Sequence, residues 1–179
     1  TTAGASDFAV TVGGVSRSVS SVAVSGSTVV LTLSSAVGAG QSVSVAYTDP
    51  TGSNDTNALQ DAAGNDAATL AATSVTNNST VDQSSPTFVS AVTNAAGTTI
   101  TLTYSEALSA TTAGASDFAV TVAGVSRSVS SVAVSGSTAV LTLASPAVES
   151  GQSVSVAYTQ PAGSNAVKDS AGNKASSLS

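Results

Sequence analysis

Residues 28–47 read TVVLTLSSAVGAGQSVSVAY, and two runs within them decide the fold. In Thr28-Val29-Val30-Leu31-Thr32-Leu33, the residues Val29, Leu31 and Leu33 fall on one face. In Gln41-Ser42-Val43-Ser44-Val45-Ala46-Tyr47, the set Val43, Val45 and Tyr47 points one way, with Ser42 and Ser44 opposite. A period of two belongs to a half-buried strand, because successive side chains on extended backbone leave on opposite sides. Thr99–Tyr104 repeats the pattern with Ile100, Leu102 and Tyr104. Further strands are expected at Asp7–Val12, Arg17–Val24, Thr73–Asn77 and Thr87–Thr93.

Turn chemistry separates these runs. Gly13-Gly14, Ser25-Gly26-Ser27 and Asn94-Ala95-Ala96-Gly97 supply residues that tolerate positive φ. No stretch reads as a convincing helix, although Glu106-Ala107-Leu108-Ser109-Ala110 suits a short turn. Roughly seven strands per ~100 residues, with turn signals at about 8–12-residue intervals, predict an all-β fold of antiparallel immunoglobulin-like sandwiches.

The chain also repeats itself. Thr1–Val10 returns letter for letter as Thr111–Val120, and Ser16–Thr28 as Ser126–Thr138. A period of about 110 residues is a whole domain, so the reading is a tandem array. The polar linker Ser79–Pro86 ends in a proline that cannot donate to a ladder, which places the boundary there. The expected domains are 1–85, a partial repeat without its first strands, and 86–179, a repeat without its last strand. Open sheet edges at such ends would be filled by another chain through strand complementation.

Composition narrows the function. The 179 residues include no Cys, His, Met or Trp; aromatics are 3% and charged residues 8%, and the net charge is −6. Ser-His-Asp and Cys-His catalysis and N/S-ligated zinc sites have no residues to use. The cations are Arg17, Arg127, Lys168 and Lys174, too few for a nucleic-acid patch. No apolar run approaches the ~20 residues of a membrane helix. Paired carboxylates remain a formal route to hydrolysis, but sugar-binding aromatics are scarce, and the expectation is a protein that is not an enzyme. The Cys-free, acidic, Ser/Thr-rich character suits an extracellular, cell-surface location.

One segment does not read as a strand. From Asp49 to Asp66 the chain runs DPTGSNDTNALQDAAGND, with four carboxylates (Asp49, Asp55, Asp61, Asp66), the amides Asn54, Asn57 and Asn65, and no Lys or Arg. Calcium takes about 6–8 oxygen ligands of these kinds. The expected metal ligands are therefore Asp49, Asn54, Asp55, Asn57, Asp61 and Asp66, for a calcium ion in copy one only. The alternative is a solvated loop whose Asp and Asn residues form turns. In copy two Asp49 has become Gln160, Asp66 has become Lys174, and three residues are gone. The surviving Asp-x-Ala-Gly-Asn (Asp61–Asn65, Asp169–Asn173) predicts a turn in which Asp accepts from backbone donors and Gly takes positive φ. Asp7, repeated as Asp117, reads as a structural cap.

Taken in order, Pro86-Thr87-Phe88, Tyr104-Ser105-Glu106-Ala107-Leu108, Ser116-Asp117-Phe118, then Val-x-Val-Ala-Tyr-Thr and Asp-x-Ala-Gly-Asn resemble bacterial Ig-like repeats. More narrowly they resemble the SWM repeat, a flagellar-system-associated repeat of giant surface proteins. The resemblance spans essentially the whole chain. It implies an extracellular sandwich within a long array, a rod or filament serving adhesion or surface-linked motility, with neighbouring repeats or identical subunits as partners. It carries over no catalytic residue. The alternative function is an adhesin module that grips glycan or protein.

Overall fold

The computed structural model describes residues 3–54 and 56–179. The chain divides into two compact units, Thr1–Asp82 and Gln83–Ser179. Both are all-β and antiparallel throughout.

The first unit opens with a one-turn 3-10 helix at Ala5–Asp7, whose Asp7 carboxylate accepts from the Gly4 amide at 2.7 Å. Then come β1 (Phe8–Val12), β2 (Val15–Arg17), β3 (Val19–Ser25), β4 (Thr28–Leu33), β5 (Val43–Tyr47) and β6 (Leu70–Val75). One sheet has the order β2-β1-β5-β6, and β3 pairs with β4 in a second. The β1–β2 hairpin turns on Gly13 and Gly14, at φ of +59° and +80°. Both central residues of a type I′ turn need that left-handed conformation, which glycine adopts without strain. The expected strand Arg17–Val24 is broken at Ser18, so Arg17 closes β2 and Val19 opens β3. The expected strand at Thr73–Asn77 begins three residues earlier, at Leu70.

The second unit contains β7 (Phe88–Thr93), β8 (Thr99–Tyr104), a 3-10 turn at Ala115–Asp117, β9 (Phe118–Val122), β10 (Val125–Arg127), β11 (Val129–Ser135), β12 (Thr138–Leu143) and β13 (Val154–Tyr158). Its sheets run β10-β9-β13 and β11-β12-β8-β7. Strands β9–β13 repeat β1–β5 one for one. The fold even repeats its irregularities: β3 and β11 bulge at Ser20 and Ser130. Their hydroxyls donate to the Thr32 and Thr142 carbonyls, at 3.0 and 3.1 Å.

The units differ in what flanks the common five strands. The hairpin β7–β8 adds to β12 in the second unit; among the described residues β4 has no such neighbour. Conversely, β6 lies beside β5, whereas β13 meets only the start of an equivalent, the Tyr158–Leu178 bridge.

The core follows the hairpin. In the second unit Ile100, Leu102 and Tyr104 of β8 pack with Leu141, Phe118, Tyr158 and Val167 in one buried cluster. In the first unit the buried apolar side chains among the described residues are Ala3, Val10, Val12, Tyr47 and Ala58.

Candidate functional site

Two features set the first unit apart: its acidic loop and its uncovered strand. The loop hangs from the end of β5. The Tyr47 hydroxyl accepts from the Leu59 amide at 3.0 Å, tying the loop's middle to the sheet. The equivalent contact in the second unit, Val167 amide to Tyr158 hydroxyl, is also 3.0 Å. Both tyrosines pack on the phenylalanine opposite in register, with ring centroids 5.2 Å apart for Phe8–Tyr47 and 5.1 Å for Phe118–Tyr158.

Within the loop, Asp61 is committed to its own turn. Its Oδ1 accepts from the Ala63 and Asn65 amides at 2.8 and 2.9 Å, and its Oδ2 from the Asn65 side chain at 2.8 Å. These bonds, led by the Asn65 side chain, hold its carboxyl below the ordinary value. Gly64 follows at φ +86°. Asp169 builds the same turn with Gly172 and Asn173, at 2.7 and 2.8 Å, and Gly172 at φ +96°. Burial pushes the Asp169 carboxyl up, but the bonds from Asn173 and Gly172 outweigh burial and leave it lowered. The turn expected from Asp-x-Ala-Gly-Asn is thus present in both copies.

The other expected ligands are spread along the loop. Asp49 accepts at 3.4 Å from the Thr51 amide. Asn54 accepts from the Asp66 amide at 3.3 Å, and the Asp66 carboxylate from the Gln60 side chain at 2.8 Å. Asn57 is exposed, and Asp55 lies outside the described residues. Among the described residues, Asp49, Asp61 and Asp66 do not gather three carboxylate oxygens within 4.8 Å of one another.

The second unit puts cations where the first has acid and amide. Lys174, in the place of Asp66, donates to the Gly163 carbonyl at 2.7 Å. Lys168, in the place of Gln60, donates to the Ser164 carbonyl at 2.9 Å. An ammonium resting on backbone carbonyls marks that strip of the loop as a place that accepts positive charge.

The uncovered strand is β4. Its partner β3 lies on one side, and the other side faces a groove of about 320 Å³ lined by Phe8, Val29, Leu31, Val45, Tyr47 and Leu59 among others. Val29 is 38% exposed and Val30 55%. In the second unit the residue in Val29's place, Ala139, is wholly buried beneath β8, as is Leu141. No sequence signal within β4 predicts this exposure, because β4 and β12 carry nearly the same residues.

The Ser/Thr-rich alternating strands, the tandem units and the repeated Asp-turn belong together in one family. The chain matches the SWM repeat, described as "Putative flagellar system-associated repeat", over residues 1–52 and 81–163. That is well over half its length, and the chain belongs to this family. No curated protein and no solved structure matches it.

Proposed function

We propose that this chain is a structural segment of an extracellular, surface-anchored array: a rod or filament of tandem sandwiches that spaces or transmits force for adhesion or surface-linked motility. The observation that carries the reading is the duplication itself. Five strands recur with the same register, bulge, tyrosine tie and Asp-turn, which is what a uniform building block requires. Family membership supports a surface or motility setting. The catalytic inventory is empty of His and Cys, which supports a non-enzymatic role. The partners are neighbouring repeats or identical subunits that complete one another's sheets.

Pulling the full chain between its ends in a force microscope tests this. The expected record is two discrete unfolding events, each releasing about 30 nm of contour at ~3.4 Å per residue. Smooth extension without discrete events would remove the mechanical role. A glycan array probes the adhesin alternative, for which strong, saturable binding is required.

A second reading concerns calcium in copy one. Its support is the donor chemistry of Asp49–Asp66 together with the Lys174 ammonium on the Gly163 carbonyl in copy two. An ion there would be weakly held, with Kd of about 10⁻⁴–10⁻³ M. Millimolar calcium should raise the melting temperature of the parent chain and leave Asp66→Lys unmoved. An unshifted parent melt across chelator and calcium refutes the ion.

A further inference from the structure

In an array something must cover β4, and the second unit identifies the occupant. We propose that the free edge of β4 and its apolar groove are the docking site for a β-hairpin of the Phe88–Tyr104 type, donated by a further repeat of this family. This rests on the array reading and deepens it by fixing the partner's chemistry and register.

Each part of the site has a filled counterpart. β12 receives β8 antiparallel, with Thr138 opposite Thr103, Ala139 opposite Leu102, Val140 opposite Thr101, Leu141 opposite Ile100 and Thr142 opposite Thr99. Beyond the strand, the Tyr104 amide donates to the Ser137 carbonyl and the Leu108 amide to the Gly136 carbonyl, both at 2.9 Å. β4 offers the same row, Thr28 to Leu33, with Ser27 and Gly26 in the places of Ser137 and Gly136. The incoming strand must alternate. Its apolar residues, in the places of Ile100, Leu102 and Tyr104, enter the groove between Leu31, Val29 and Tyr47; its Thr residues face solvent. Such side chains are large enough for burial to favour docking, and a sheet edge contributes backbone partners that an unstructured apolar ligand could not satisfy. β4 itself carries exposed valines and no basic residue, so the fit is apolar and hydrogen-bonded rather than ionic.

The absence of native cysteine allows a register-specific test on the full chain. Val30 is outward-facing and replaceable, so Val30→Cys is mixed with synthetic peptides of residues 86–108 carrying Thr99→Cys, Thr101→Cys or Thr103→Cys, in a glutathione redox buffer. The expected result is a mixed disulfide with the Thr101→Cys peptide at least ~10-fold faster than with either neighbour, one register step of two residues away. Adding Val29→Asp to the chain should slow that disulfide by ~10-fold or more without changing the exchange protection of β1 and β5. Equal rates for the three peptides, no disulfide with any, or a disulfide joining position 30 of two chains in place of the mixed product would each overturn the proposal. The pulling record is unaffected by these outcomes. Two discrete unfolding events with no peptide capture would reject the hairpin and keep the array; capture without discrete events would do the reverse.

Discussion

β4 and β12 differ at one position, Val29 against Ala139, and both pair with a neighbour of identical sequence, VSSVAVS. Yet Val29 is 38% exposed and Ala139 wholly buried. The strand is written into these residues; the burial is not. What converts a half-covered ribbon into a core is the β7–β8 hairpin, which supplies Ile100, Leu102 and Tyr104 to the cluster. The same difference governs stability. A repeat of Ala, Val and Thr buries little area per side chain, so its core depends on long-range strand neighbours more than on its own composition.

The comparison can be broken most forcefully at Gly97. It turns the β7–β8 hairpin at φ +65°, and a Cβ there would stand 2.0 Å from the Val148 carbonyl oxygen. No flexible side chain is available to yield, since the obstacle is backbone. Gly97→Ala combines left-handed strain with a steric clash and should cost the second unit about 3–5 kcal/mol. Amide exchange read by mass spectrometry should show β8 and β12 losing protection while β1 and β5 keep theirs. A second unit unaffected by this change would mean that the hairpin does not hold its core together.

Next comes an alkaline test of the same hairpin. Burial pushes the Tyr104 hydroxyl up to about 12 from its ordinary 10.0, with the Tyr158 charge adding to the effect. A raised native value means the folded state favours the protonated form. The contribution is therefore complete below pH 10 and is lost as the pH climbs toward 12. Solvent near the ring screens part of the effect, which leaves about 1–2 kcal/mol of stability lost across that window. Urea unfolding at stepped pH should show the second unit weakening there, and Tyr104→Phe should flatten much of the slope.

More of the fold than of the site is legible in the sequence, and particular residues show why. Val43, Val45 and Tyr47 announce a strand because period-two alternation is local. The Asp-x-Ala-Gly-Asn turn is equally legible, since Asp61 and Asp169 reach only four residues ahead. The break at Ser18 is not. Ser16, Ser18 and Ser20 alternate with Val15, Arg17 and Val19, so the pattern runs through the break without interruption. The 3-10 turns at Ala5–Asp7 and Ala115–Asp117 are also hidden, although the expected caps Asp7 and Asp117 prove to be their acceptors. The six expected calcium ligands were chosen by oxygen type, which says nothing about convergence. The groove beside β4 has no signature at all, because an uncovered edge is a property of pairing.

The Asp-turns sharpen the comparison at a smaller scale. Asp169 is 3% exposed, whereas Asp61 is exposed. Replacing Asp169 with Ala strands the Gly172 and Asn173 amides in a sheltered place and should cost about 1–3 kcal/mol. Water can replace the lost acceptor in Asp61→Ala, so that variant should lose clearly less. Because the native Asp169 carboxyl is lowered, its contribution is present above the ordinary 3.8 and is lost as the pH falls below that value. Equal losses in urea for the two variants would show that burial does not distinguish the copies here.

The smallest effect lies in the two-residue turn shared by β1–β2 and β9–β10. Gly13 in the first unit is Ala123 in the second, held at φ +49°. An L-residue in the left-handed region costs about 1–2 kcal/mol, which glycine avoids. Glycine also gives the unfolded chain more freedom, worth about 0.4–1 kcal/mol against it. The two terms oppose each other, and the strain is the larger. Ala123→Gly should therefore stabilise the second unit by about 0.5–1 kcal/mol, and Gly13→Ala should destabilise the first by a similar amount. No Cβ clash complicates the reading, since an added Cβ at Gly13 would meet only the Gln41 side chain, at 3.8 Å. Matched urea titrations of the two variants would then isolate backbone conformation from packing: effects of opposite sign and similar size confirm that the turn is equivalent in both copies, whereas a loss in both would place the cost in contacts peculiar to each unit.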